Sequence, residues 1–228
     1  MGHSTSYIIS LLKITDFPDD FLNGYLYCNR LNYHRESEEK ERGDKNEGLA
    51  VSNQRFKPYT LKIYNTDLFY YPTFCMLYIY SNKRSFSNKV KLDNEKLKKF
   101  GSYTVIITDV KEFINRVERN IPNVHCEVVR YIDFNTLQGV DELAIYNPIA
   151  TKDKNFSYQQ EFRIYVHRFV DNDNFCPIRY TIGDLHDIGI QFPTSDLYRG
   201  VDVELNIDWD YCRKSRFQVK VPKLPISH

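Results

Sequence analysis

The stretch "FSYQQEFRIYV", residues 156 to 166, decides most of the fold reading. Phe162, Ile164 and Val166 alternate with polar or amphipathic positions, which is the period of a half-buried strand. Read as one strand, it places Gln159, Glu161 and Arg163 on a single face, because residues two apart point the same way. Two readings of that face stand. It is either the solvated side of an edge strand, where a Glu161–Arg163 pair is worth ~0–1 kcal/mol, or the polar wall of a cleft.

Outward from this stretch, the same period recurs. "YIISLLKIT", "YLYCNRLNYHR", "RFKPYTLKIYN", "YPTFCMLYIYS", "SYTVIITD", "CEVVRYIDF" and "FCPIRYTIGDL" all read as strands. "VDVELNIDW" and "SRFQVKVPKL" read as a terminal hairpin. "FPDDFLNG" has Pro18 early, two acids after it and Gly24 at its end, the signature of a short helix. "LDNEKLKKFG" reads as a second short helix. "VKEFINRVERNI" is apolar at 110, 113, 114 and 117, the helical period. The expectation is an α+β fold: a mainly antiparallel, β-rich single domain over 1–228, with two or three short helices. "ESEEKERGDKNEG", within residues 36–48, is almost wholly polar and reads as a charged surface excursion.

Composition narrows the function. The 18 Tyr and 15 Phe favour pleated surfaces. With 31 basic and 30 acidic residues the net charge is +1, so bulk charge gives nucleic-acid binding no support. Five cysteines at 28, 75, 126, 176 and 212, with no close pair, read as reduced residues of a cytoplasmic protein rather than zinc ligands or a disulfide scaffold. No apolar run reaches the length that spans a bilayer, and "SYIISLLKI" lacks the flanks of a signal peptide.

Phosphate-loop, dinucleotide-turn, zinc-protease and nucleophile-elbow motifs are absent. "GDLHDIG" offers Asp184, His186 and Asp187 as a weak metal constellation, and the expectation is that no metal is held. Two clusters remain. One is Arg30, Tyr33, His34 and Arg35 at the mouth of the excursion. The other is Gln159, Glu161 and Arg163.

On the second cluster, Gln159-x-Glu161 resembles the signature of mono-ADP-ribosyltransferases of the arginine–serine–glutamate type. The resemblance implies NAD as substrate. It implies that Glu161 is catalytic, stabilising the cation formed as nicotinamide leaves, and that Gln159 helps select the acceptor. By order it places Arg30 or Arg35 on the NAD phosphates and Ser85 of "SFS" in the serine motif, a segment that reads as a basic loop rather than a strand. The chemistry is coherent. A fixed carboxylate lowers the barrier to a developing ribosyl cation, Arg163, Arg30 or Arg35 offers paired donors to phosphate, and Tyr33, Tyr158 or Tyr165 offers a stacking face.

Over more of its length, the chain resembles an uncharacterised family of bacteria and their phages, found in mobile elements and defence loci. The segments that carry this are "GYLYCNRLNYHRESEEKERGDKNEG", "FGSYTVIITDVKEFINRV" and "FSYQQEFRIYV". Three functions follow. The first is an NAD-using toxin or effector that modifies a host protein or nucleic acid. The second is a non-enzymatic protein that binds and blocks a host or defence protein. The third and weakest is a nuclease built on Asp184, Asp187 and Glu161.

Overall fold

The structure, a computed structural model, describes residues 3–36, 44–46, 48–52, 61–64, 69–81, 86–134, 147–168, 176–215 and 217–222. Its elements in chain order are β1 (His3–Thr15), α1 (Pro18–Leu22), β2 (Tyr25–Arg30), α2 (Leu31–Glu36), β3 (Leu49–Ser52), β4 (Leu61–Tyr64), β5 (Pro72–Ser81), β6 (Lys89–Val90), β7 (Tyr103–Ile107), α3 (Val110–Asn120), β8 (Val124–Val128), β9 (Arg130–Ile132), β10 (Thr151–Asp153), β11 (Glu161–Val166), β12 (Ile178–Thr181), β13 (Gly189–Pro193), α4 (Thr194–Leu197), β14 (Val201–Asp202), α5 (Trp209–Lys214) and β15 (Gln218–Pro222). The fold is α+β and mainly antiparallel, with short helices. Among the pairings described in register, β9–β10 alone is parallel.

The chain divides into two compact units, each discontinuous in sequence: 1–24, 76–116 and 183–228 form one, and 25–75 with 117–182 the other. No linker marks the division. The chain passes from unit to unit four times: after Gly24, inside β5, inside α3 and before Gly183.

In the first unit, β1 is central and pairs antiparallel with β5, β7 and β15, while β7 also pairs with β13. Its residues Ile8, Ile9, Leu11, Leu12 and Ile14 are all buried, so both faces of the strand are covered. A bulge between Ile8 and Ser10 lets buried Ser10 donate its Oγ to the Ile107 carbonyl at 2.8 Å. Pro18 opens α1 at its first turn, followed by Asp19 and Asp20. Gly24, with φ 82°, closes the turn and lies against Gly183, where a Cβ would fall 1.9 Å from the carbonyl oxygen.

The expected terminal hairpin does not form. Asp208 Oδ1 accepts from the backbone N–H groups of Asp210 and Tyr211 at 3.0 and 2.9 Å, which caps a helix, α5, between the two stretches that read as strands. β14 is two residues long and pairs with β6, and β15 pairs with β1.

In the second unit β12, β2 and β5 pair in that order; β11 pairs with β8 and with β5. Phe162, Ile164 and Val166 are 0–2% exposed on one face of β11. Each contributes about 1.5–3 kcal/mol of burial. Two readings are corrected here. "YLYCNRLNYHR" is strand only to Arg30 and helix from Leu31. "CEVVRYIDF" splits at Val129 into β8 and β9.

Candidate functional site

Residues 156–166 are not one strand. Asp153 Oδ1 accepts from Asn155 N at 2.9 Å and starts a 3-10 turn over Lys154–Gln159. Gln160 then takes a left-handed conformation, φ 41° and ψ 57°, and the chain enters β11 at Glu161. Gln159 therefore does not share a strand face with Glu161. All six residues of β11 are buried, which removes the solvated-edge reading.

β11 pairs antiparallel with β8, with Arg163 opposite Glu127 and Tyr165 opposite His125. The alternation of a strand then puts Glu161, Arg163 and Tyr165 on one face with Glu127 and His125. This polar face carries two groups of side chains.

The first group is closed. Arg163 Nε donates to Glu161 Oε1 at 2.7 Å, its Nη2 donates to the same oxygen at 2.5 Å, and its Nη1 donates to the Ile149 carbonyl. Lys152 Nζ donates to Glu161 Oε2 at 3.1 Å and to Gln159 Oε1 at 2.9 Å. Gln159 thus reaches the catalytic candidate through Lys152, not through strand register. The Cys75 thiol bonds to the same carboxylate, and Glu161 N donates to Tyr131 Oη at 2.9 Å. Lys152 also lies over the Phe156 ring, 5.1 Å from its centroid. Glu161 is 4% exposed and Arg163 0%. Burial opposes the charge on Glu161, but the Arg163 and Lys152 charges outweigh it and hold the carboxyl well below the usual carboxylate range. Burial, with Glu161 beside it, pushes the Cys75 thiol far above its ordinary range.

The second group is half-open. Glu127 Oε1 accepts from Tyr165 Oη and from Asn147 Nδ2, each at 3.0 Å, and Asn147 Nδ2 also reaches Tyr165 Oη at 2.8 Å. His125 stacks on Tyr165 at 5.2 Å with the rings 16° from parallel. His167 meets His125 edge-on at 6.1 Å and Tyr71 edge-on at 4.9 Å. His125, Glu127, Asn147 and Tyr71 are half-buried and His167 is exposed. Leu31, the first residue of α2, packs with Ile149 and Tyr165, and Phe69 and Tyr71 lie against them. The end of β2 therefore borders this face.

Of the expected site residues, Glu161, Gln159 and Arg163 meet. Arg30 is buried at the end of β2, Tyr33 is exposed on α2, and Arg35 lies on α2 as well. Ser85 lies outside the described residues. Sequence reasoning missed Lys152, Glu127, His125, Asn147 and His167. A same-face signal existed in "HCE", where His125 and Glu127 are two apart. Nothing local tied that pair to residue 147 or 167.

The excursion is not wholly surface. Asp44 is 2% exposed, accepts the Asp153 amide through Oδ2 at 2.9 Å and donates its own amide to the His34 carbonyl. In "GDLHDIG", Asp187 takes two bonds from Arg116 at 2.8 and 2.6 Å, while Asp184 pairs with His186 at 2.6 Å. Among the described residues no three His, Cys, Asp or Glu side chains gather as a metal site, and no helix is long and apolar enough to cross a membrane. Comparison of the chain with protein-family models, curated proteins and solved structures returns no match.

Proposed function

We propose that the protein uses NAD, breaking the bond between nicotinamide and ribose and passing the ADP-ribosyl group to a macromolecule of the host of a phage or mobile element. The observation that carries this reading is Glu161: a carboxylate held ionised by Arg163, joined through Lys152 to the Gln159 amide. An ionised, fixed carboxylate is what a developing ribosyl cation needs. The ribose cation would take the place of the Lys152 ammonium at Oε2, while the Arg163 fork keeps Oε1 in position. The group is closed in the structure, so entry of the ribose requires Lys152 to leave Oε2.

The experiment is nicotinamide release from NAD in the presence of host cell extract, with label transfer to extract components followed in parallel. The expected result is release and transfer by the wild type and a loss of at least about a hundredfold in folded Glu161→Gln, the scale of one lost charge-stabilising group. Equal rates in the two proteins sink the proposal.

One observation favours a second reading, a protein that binds and blocks a host or defence protein. Glu161 is shut away, while β2 and β12 turn Tyr27 and Arg179 to solvent with Arg179 stacked on Tyr25 at 5.0 Å. Tyr and Arg are the residues that anchor protein interfaces. Under this reading a host partner co-purifies, and its recovery drops with Tyr27→Ala but not with Glu161→Gln.

A further inference from the structure

The half-open group on β8 and β11 gathers several polar side chains at half-buried or exposed positions. Glu127 uses Oε1 twice, and its Oε2 takes no hydrogen bond among the described residues. The ring nitrogens of His125 and His167 and the hydroxyl of Tyr71 are likewise without a hydrogen bond there. Here the two contacts that are made, from Tyr165 and Asn147, fix the carboxylate and leave one oxygen presented.

We propose that Glu127, His125, His167 and Tyr71 form the subsite for the adenine ring of a nucleotide. The inference rests on the NAD reading for its full substrate, but its geometry is independent of Glu161. Two imidazoles and a phenol offer faces and edges for a flat ring. One presented carboxylate oxygen accepts one N–H, which matches the single exocyclic amino group of adenine. Guanine presents two adjacent donors, and Oε1 is already occupied. Imidazole N–H and the Tyr71 hydroxyl are donors for the ring nitrogens.

Spacing selects the adenine end of NAD over the nicotinamide end. Tyr165 stands four residues along β11 from Glu161, about 13 Å at the rise of a strand. A nicotinamide at His125 would leave its ribose out of reach of Glu161. An adenine there sets the far ribose of an extended dinucleotide toward Glu161, with Arg163 between them on the same face.

The test is NMR titration of the His125 and His167 ring signals with AMP, GMP and nicotinamide mononucleotide, each bearing one phosphate so that phosphate affinity cancels. A parallel titration uses Zn²⁺ alone. The expected result is that AMP shifts both rings and binds more tightly than the other two. His167→Ala, at an exposed position, should weaken AMP about tenfold through lost stacking, and Glu127→Gln should remove the preference for AMP over GMP. The inference is overturned if AMP leaves both rings unshifted, if the three nucleotides bind alike, if both variants bind AMP as the wild type does, or if only Zn²⁺ shifts the rings. Failure of the NAD reading is separable: AMP binding lost in His167→Ala, with no nicotinamide release by the wild type, keeps the subsite and removes the reaction. Nicotinamide release that falls in Glu161→Gln, with a KM for NAD unchanged in His167→Ala, does the reverse.

Discussion

Replacing Glu161 by Gln keeps the side-chain shape and removes the charge that two buried cations share. Arg163 is 0% exposed and Lys152 4%, so neither gains water when the carboxylate is lost. Breaking a buried ion pair by removing one partner costs about 3–5 kcal/mol, against a total stability of about 5–15 kcal/mol for a typical domain. The amide retains neutral versions of some bonds, which places the expected loss near the lower end, about 3 kcal/mol. Urea unfolding followed by circular dichroism reads it as a lower midpoint at unchanged slope. A pH series adds a second, independent signature. The carboxyl of Glu161 is depressed in the folded protein from its ordinary 4.5. Its stabilisation is therefore full above about pH 4.5 and is lost as pH falls below that value, because the unfolded chain takes up the proton first. The gap between wild type and Glu161→Gln should be constant from pH 7 to 5 and narrow from pH 4.5 to 3. A gap under about 1 kcal/mol, or one that does not change with pH, refutes the buried network as described.

Three further outcomes check other parts of the structure. Gly24→Ala should cost well over about 1 kcal/mol, since φ 82° and the Gly183 carbonyl both oppose a Cβ, whereas Gly183→Ala, with φ 90° in open space, should cost about 1 kcal/mol; thermal melts compare them. A thiol reagent on the native protein should label exposed Cys176 first, with half-buried Cys75, whose thiol is pushed up beside Glu161, labelled more slowly; peptide mass mapping that finds the two equally fast contradicts this. Asp208→Ala should cost about 1 kcal/mol by uncapping α5, read as a lowered melting temperature.

Two strands were legible because their apolar runs are long: "YIISLLKIT" and "YPTFCMLYIYS" became β1 and β5. The α1 helix was legible from Pro18, the two acids and Gly24. Where period alone was used, it failed at caps. Asp153 turned the start of an apparent strand, and Asp208 the connection of an apparent hairpin, into helical turns through bonds to backbone N–H groups two or three residues on, which leave no mark in the alternation. The site followed the same rule. Glu161 and Arg163 share a strand and were found together. Lys152 reads in sequence as one more charge in "TKDKN", and only the return of the chain along β10 brings it to Glu161. His125 and His167 meet because β8 and β11 are paired, a fact of register that no local pattern encodes.

On the proposed reading, one polar sheet face binds NAD with its reacting ribose at Glu161. A crystal structure of the protein soaked with NAD tests it most directly, through the distance from Glu161 Oε2 to the C1′ atom of the nicotinamide ribose. The expected result is that atom in contact with Oε2, Lys152 displaced from it, and the adenine against His125 and His167. A dinucleotide bound elsewhere, with Lys152 and Arg163 still closed on Glu161, would contradict it.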